Sequence, residues 1–274
     1  MSFKDIIIPV LNVEEDEPAL KAAEIVANMS DGRLNAVFIE IEPDPLATAD
    51  GYICGEVWDR IVEDLAQAAS DAASALQART GARPVSMREL RTRPSVMGED
   101  ISRISRCADL TVIRRLGSAG DDAIRSEIFQ AALFKSGRPV LLAPPDWRAN
   151  IGRRVLVAWS GKRESARALA DAAPFVETAE AVTVATVGKH PLPEGASGED
   201  IAAHLARHGV KADVKRIAPE SGDEADALLV AARDVGADLI VMGGYGHARA
   251  TEFIFGGVTR ILSRSSPIPL LMAH

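Results

Sequence analysis

Residues 238–246 read Asp-Leu-Ile-Val-Met-Gly-Gly-Tyr-Gly, and this stretch decides the fold class. The continuous apolar run after the aspartate is typical of a strand buried on both faces of a parallel sheet. The glycines end that strand, and a second pair, Gly256-Gly257, precedes an amphipathic helical stretch that ends before Pro267. A glycine-rich turn between a strand and a helix N-terminus is how an α/β protein presents backbone N–H groups to phosphate.

The same order of strand-like segments occurs twice along the chain. The matched pairs are 4–10 with 153–159, 109–113 with 238–242, and 138–143 with 268–273. Three matches in the same order predict two copies of one unit, a first domain at 1–146 and a second at 151–274. Between them Pro144 and Pro145 end the last strand of the first copy, and polar residues form a linker.

Within each half, predicted strands alternate with predicted helices. The strands are expected at 4–10, 34–40, 85–91, 110–114 and 139–143, and again at 153–159, 180–187, 212–217, 238–242 and 268–273. The helices are expected at 16–29, 56–79, 97–106 and 123–136, and again at 162–175, 198–208, 222–235 and 255–264. Such alternation requires right-handed crossovers and predicts a doubly wound α/β fold in each half. Its ligands bind at the carboxyl ends of the strands, where the glycine run lies.

The composition restricts the classes of partner. A net charge of −8 and a pI of 5.3 argue against nucleic acid or an anionic membrane. No apolar run is long enough to predict a membrane span, and no signal-peptide pattern precedes the first strand. Cys54 and Cys107 match no metal or redox spacing and are expected to be reduced thiols. We therefore expect a cytosolic protein.

The glycine loop of the second half predicts a phosphate site. Gly243 and Gly246 can adopt positive φ and let a ligand approach the backbone closely. The helix that starts at Gly256-Gly257 has N–H groups without intrahelical partners, and its dipole favours an anion. The predicted site combines strand ends, the loop and the helix start: Trp159, Ser160, Val187, Gly243, Gly246, His247, Arg249, Gly256, Gly257, Val258 and Thr259.

The glycine spacing resembles that of the universal stress protein family. Its nucleotide-binding members carry Gly, two residues, Gly, nine residues, Gly and then Ser or Thr; Gly243, Gly246 and Gly256 match, and Gly257 replaces the last residue. The resemblance implies a five-stranded parallel sheet of order 3-2-1-4-5 in each half. It also implies ATP, with or without Mg²⁺, in some members and no nucleotide in others. Finally, it implies that the halves pair through their last strands, and it allows a homodimer.

Departures from the family pattern bear on binding. Ser160 stands where nucleotide-binding members usually carry Asp after the first strand, and Leu11 or Asn12 stands there in the first half. The first-half stretch 114–122 ends in two carboxylates, and residues 130–132, Gln-Ala-Ala, stand near the second glycine pair. We therefore predict that the first half binds no nucleotide.

Other polar clusters have simpler interpretations. The acidic run 14–17 is expected to cap a helix, and Arg114-Arg115 is expected to be a solvated strand end. His204 and His208 lie four apart on a predicted helix, but no third metal ligand is evident, so no metal site is predicted.

Three hypotheses about function remain open. The first is a regulatory module that binds an adenine nucleotide in the second half. The second is an interaction protein that binds no nucleotide, which Ser160 and Gly257 favour. The third is a slow ATP hydrolase, although the sequence contains no Walker loop, nucleophile elbow or zinc-protease helix, and no catalytic residue is predicted.

Overall fold

A computed structural model of the protein describes residues 2–44, 55–79, 83–117, 122–147, 150–188, 191–218, 223–244 and 257–274. The first half contains β1 (Asp5–Val10), α1 (Glu17–Ser30), β2 (Arg33–Ile41), α2 (Gly55–Ala78), β3 (Val85–Thr92), α3 (Met97–Arg106), β4 (Leu110–Arg114), α4 (Asp122–Lys135) and β5 (Val140–Ala143). The second contains β6 (Arg154–Ala158), α5 (Arg163–Asp171), α6 (Ala173–Val176), β7 (Ala181–Val187), α7 (Gly198–Arg207), β8 (Ala212–Ile217), α8 (Glu224–Asp234), β9 (Leu239–Gly243), α9 (Gly257–Ser265) and β10 (Leu270–Ala273).

The predicted element bounds are confirmed to within about two residues, the usual uncertainty of helix and strand ends, with one exception; the predicted start of the last helix at 255 lies outside the described residues. The single helix predicted at 162–175 is two helices, α5 and α6. Pro174 lies in the first turn of α6, where its missing N–H costs nothing. The same residue could not continue α5, because a proline inside a helix removes a hydrogen bond and clashes with the preceding turn.

The described strands form one sheet in the order β3-β2-β1-β4-β5-β10-β9-β6-β7-β8. Within each half the neighbouring strands are parallel, and the predicted order 3-2-1-4-5 is confirmed. The halves meet at β5 and β10, which are antiparallel and place Leu141 opposite Leu271. The two five-stranded sheets are therefore continuous across the middle of the molecule.

Helices cover both faces of the sheet, so the strands are apolar on both sides. On one face, Ile6 and Ile8 of β1 belong to an apolar cluster that also includes residues of α1, α2, α5, α6 and α7. On the other face, Ile7 belongs to a cluster that includes residues of α3, α4, α8 and α9. This arrangement explains the continuous apolar runs of the sequence. None of the described helices, including the 24-residue α2, is long and apolar enough to cross a membrane.

Candidate functional site

A cavity of about 260 Å³ lies at the carboxyl ends of β6, β7 and β9, beside the first turn of α9. Seven of the eleven predicted site residues line it: Trp159, Ser160, Val187, Gly243, Gly257, Val258 and Thr259. The other four, Gly246, His247, Arg249 and Gly256, lie outside the described residues. The structure thus brings together the strand ends and the helix start that the sequence placed in one site.

The cavity also contains residues that sequence reasoning missed. Lys162 and Glu224 contribute opposite charges, and the apolar wall includes Ala185, Leu228 and Met242. A local signal existed for Ala185, whereas the place of Glu224 depends on how its helix packs. Ala185 shares a face of β7 with Val187, since side chains two apart on a strand point the same way. Glu224 opens the helix that follows the neighbouring strand.

Trp159 and Ser160 are both engaged within the protein. Trp159 is 9% exposed, belongs to an apolar core, and donates from Nε1 to the carbonyl oxygen of Ala196 at 2.8 Å. The Ser160 hydroxyl donates to Ser165 Oγ at 3.2 Å, and Ser165 in turn donates to the Lys162 carbonyl at 2.8 Å. Ser160 therefore presents to the cavity a neutral hydroxyl that already has an internal partner.

Gly243 is required by the packing of α5. A Cβ at this position would lie 2.6 Å from the backbone carbon of Glu164 and 2.6 Å from the nitrogen of Ser165. Real Cβ atoms essentially never come so close, so only glycine lets the N-terminus of α5 approach the end of β9. This contact is a structural reason for the first glycine of the motif, in addition to the ligand approach predicted from the sequence.

Gly257 has the opposite environment. Among the described residues, no heavy atom lies within 4 Å of a Cβ built on it, so these residues leave room for larger side chains. The residue stands at the described start of α9, with Thr259 buried two positions later. The glycine is thus not demanded by packing, and the Ser or Thr of the family pattern would fit.

Negative charge lies close to the start of the glycine loop. Glu164, which packs behind Gly243, is largely buried, and burial raises the pKa of its carboxyl. Hydrogen bonds from Arg163 and from its own backbone N–H outweigh that effect together, and they hold the pKa below its ordinary value. Glu164 is therefore ionised at neutral pH and paired with Arg163, while Glu224 places a negative charge in the wall of the cavity.

The counterpart of Gly257 in the first half is Glu127. Ser136 and Ser266 occupy equivalent positions, because each accepts a hydrogen bond from the backbone N–H two residues later. Counting back nine residues from each gives Glu127 and Gly257. The sequence-based placement of 130–132 at the glycine pair is therefore wrong. Since α4 begins at Asp122, Glu127 lies inside that helix, where N–H groups bond to carbonyls four residues earlier.

A buried ion pair lies near this place in the first half. Arg125 of α4 is 3% exposed and donates to Asp16, which is fully buried, and to Glu15 at 2.9 Å. The same Asp16 carboxylate accepts from the N–H groups of Leu11 and Asn12 at 2.9 and 3.1 Å. Asp16 precedes α1 but makes no side-chain capping bond to it. The prediction that the acidic run caps the helix is wrong for Asp16, because its carboxylate is bound to the preceding turn and to Arg125.

Arg114 and Arg115 are not a solvated strand end. Arg114 pairs with Glu15 at 3.4 Å, and Arg115 donates from Nη1 to the carbonyl oxygen of Ser266 at 3.0 Å. Both side chains are partly buried. The prediction that these arginines are solvated is therefore wrong. Arg114 contacts the turn between β1 and α1, and Arg115 contacts the second half of the chain.

The histidine pair and the cysteines are the remaining candidates for metal ligands, and the described residues do not arrange them as a metal site. The rings of His204 and His208 are in contact, with centroids 4.7 Å apart. In the part of the chain that the structure describes, no three metal-ligating side chains are grouped. Cys107 is an exposed free thiol, while Cys54 lies outside the described residues.

Comparison with known proteins assigns the second half to a family. A family model described as the universal stress protein family matches residues 152–274. A universal stress protein from Archaeoglobus fulgidus DSM 4304 has a similar structure, with a TM-score of 0.71 at 17% identity over 99% of this chain and 97% of that one. A protein from Pseudomonas aeruginosa UCBPP-PA14 assigned to the same family has a TM-score of 0.59 at 16% identity, over 99% and 93% of the two chains. No curated relative matches in sequence.

The fold and the site thus define a doubly wound α/β protein with a cavity at the strand ends. Residues 152–274 belong to the universal stress protein family, which confirms the resemblance read from the glycine spacing. The solved structures show that the whole chain shares the fold. A universal stress protein in complex with cAMP matches 53% of this chain with a TM-score of 0.32, a similarity too low to bear on the ligand here.

Proposed function

We propose that the second domain, residues 151–274, binds an adenine nucleotide, ATP or a close relative with or without Mg²⁺. Binding would make the protein a nucleotide-responsive regulatory module. The observation that carries the proposal is the cavity itself, which joins the ends of β6, β7 and β9 to the first turn of α9. A cytosolic location is part of the proposal and is supported by the exposed thiol of Cys107, which suits a reducing compartment.

The chemistry of the cavity suits the two ends of a nucleotide. Val187, Leu228 and Met242 offer an apolar surface for a base. At the other end, the described part of α9 begins at Gly257, and we propose that this helix start presents N–H groups to phosphate, which the helix dipole would favour. The proposed contribution of Gly246, His247, Arg249 and Gly256 is phosphate binding from the loop.

The first domain, residues 1–146, is proposed as a partner that binds no nucleotide. Glu127 replaces the glycine at the helix position, and the N–H groups around it are used within α4. The buried Arg125–Asp16 pair is a further obstacle, because a ligand entering there would have to displace it. We propose that the two domains pair through β5 and β10, as the strand contact between them suggests.

A nucleotide-free interaction protein is the second candidate. The internal hydrogen bond of Ser160 and the carboxylates of Glu164 and Glu224 favour it, since these groups offer a phosphate no attraction. The two candidates differ in one measurable property, the binding of nucleotide to the purified chain.

Isothermal titration calorimetry with ATP, in the presence and absence of Mg²⁺, tests the proposal on three proteins. These are the wild type, Gly257→Glu and Gly257→Gln. The open space at Gly257 accepts both side chains, so the two variants differ only in a negative charge at the proposed phosphate site. We expect one nucleotide per chain, binding at least about tenfold weaker in Gly257→Glu, and near wild-type binding in Gly257→Gln.

Each result has a clear meaning. Absence of binding by any adenine nucleotide would favour the interaction protein. Two nucleotides per chain would contradict the closed first domain. Equal binding to both variants would place the phosphates away from the N-terminus of α9.

A further inference from the structure

The first half of the chain contacts the end of β9 at the point where the glycine loop begins. The carbonyl oxygen of Gly244 accepts a hydrogen bond from His274 Nδ1 at 2.9 Å. The His274 ring packs edge-on against Phe134 of α4, with ring centroids 5.0 Å apart and an interplanar angle of 80°. Gly244 itself lies against Leu133, since a Cβ built on it would be 2.9 Å from Leu133 Cδ2. The position of Gly244 is therefore set in part by α4.

The first half also contacts the far end of α9. Arg115 donates to the carbonyl oxygen of Ser266 at 3.0 Å, just after the last turn of the helix. In the other direction, Arg264 of α9 donates from Nη1 to the carbonyl oxygen of Gly117 at 3.2 Å. A cation at a helix C-terminus is favourable because unpaired carbonyls and the helix dipole are negative there. The first half thus contacts the C-terminal end of α9 and, through Gly244, the end of β9.

We propose that Arg115, Leu133 and Phe134 of the first half, acting through Gly244, His274 and α9, are positioning residues for the ligand site of the second half. This inference rests on the proposed nucleotide site. It assigns a role to a first half whose own site is closed by Arg125 and Asp16: it sets the geometry with which its neighbour binds.

The physical reason is preorganisation. A phosphate at a helix N-terminus is bound by N–H groups of fixed direction, so a small displacement of the helix weakens several hydrogen bonds together. A site already held in its binding geometry loses less conformational entropy when the ligand arrives. Loosening the contacts at Gly244 should therefore weaken nucleotide binding, although none of the contacting side chains need touch the ligand.

The test uses the full chain with substitutions at His274. His274→Phe keeps an aromatic ring against Phe134 but removes the donor to Gly244, whereas His274→Gln keeps an N–H donor. The matched control is His208→Phe on α7, an exposed histidine that borders a different cavity. Should His274→Phe fail to fold, Phe134→Leu loosens the same contact at a side chain that is 37% exposed.

Two quantities are measured on each variant: the Kd for ATP by calorimetry, and amide hydrogen exchange of Gly244 and α9 by NMR without nucleotide. We expect His274→Phe to raise the Kd by about 3- to 10-fold, the effect of one hydrogen bond, and to speed the exchange. His274→Gln should restore part of both, and His208→Phe should change neither.

The two measurements separate the inference from the proposed function. If ATP binds and the Kd of His274→Phe equals that of the wild type, the positioning role is overturned, even where exchange changes. If the wild type binds no adenine nucleotide, the proposed function fails, and the exchange data still decide the mechanical part. Faster exchange in His274→Phe would then support the inference that the first half restrains Gly244 and α9. Exchange equal to that of the wild type would overturn it.

Discussion

The two motif glycines that the structure describes, Gly243 and Gly257, should respond in opposite ways to the same substitution. Alanine at 243 places a Cβ 2.6 Å from two backbone atoms of Glu164 and Ser165, about 0.8 Å short of an ordinary contact of 3.4 Å. Backbone cannot rotate away as a side chain can, so the whole of α5 must move. Because α5 packs on the sheet through the buried Ala168 and Leu169, that movement disturbs the core.

The expected cost of Gly243→Ala is that of overpacking a core, about 1–3 kcal/mol of the free energy of unfolding. The Cβ of Gly257→Ala meets no atom of the described residues within 4 Å, and alanine is a better helix former than glycine by up to about 1 kcal/mol in a helix interior. At the start of α9 the gain is smaller, so Gly257→Ala should leave stability unchanged or raise it slightly.

Equilibrium unfolding in urea measures both effects on the same baseline. The midpoint of Gly243→Ala should fall at an unchanged m-value, while the midpoint of Gly257→Ala should stay or rise. A wild-type midpoint for Gly243→Ala would refute the reasoning, because it would show that α5 does not press on the end of β9. The motif glycine at 243 would then be explained by ligand approach alone.

Two further predictions concern buried charge. Arg125→Met should cost about 3–5 kcal/mol because it leaves the fully buried Asp16 carboxylate without its cation. Adding Asp16→Asn should cost less than the sum of the single changes in a double-mutant cycle, and strict additivity would contradict the pairing. Burial raises the pKa of Asp171 above its ordinary value of 3.8, against the opposing hydrogen bond from Arg167. The folded state therefore binds this proton more tightly, and stability is lost as pH rises through the raised pKa. Asp171→Asn should accordingly gain stability relative to the wild type between about pH 3 and pH 7 in urea titrations, and a constant difference would refute the shift.

Most of the fold could be predicted because hydrophobic runs and chain-breaking residues, which act locally, determine its helices and strands. The run Leu239–Gly243 is bounded by an aspartate and glycines and has the length of a strand, so its bounds were recoverable without any partner. Repetition of such segments indicated two units, and the order of their strands followed from the family resemblance. The break between α5 and α6 was missed because Pro174 sits in a long alanine-rich stretch whose helical pattern continues across it.

The candidate site divides in the same way. Residues next to a strand end or helix start, such as Ser160 and Gly257, were predicted because ligands of this fold bind there. Glu224 was missed, since its place in the cavity depends on how α8 packs beside β7 and not on any feature around it. Gly243 was assigned to ligand approach alone because its contact is with α5, nearly eighty residues earlier in the chain.

The sequence by itself determined the kind and order of the elements and the position of the glycine loop, because periodicity, chain breakers and spacing act within a few residues. The tertiary structure alone decided two things: the buried pair of Arg125 and Asp16, separated by 109 positions, and the contact of Phe134 with His274 beside Gly244. Each joins groups distant in the chain. Whether these residues come into contact depends on how whole helices and strands pack and on which charged groups become buried. No local sequence pattern predicts that result.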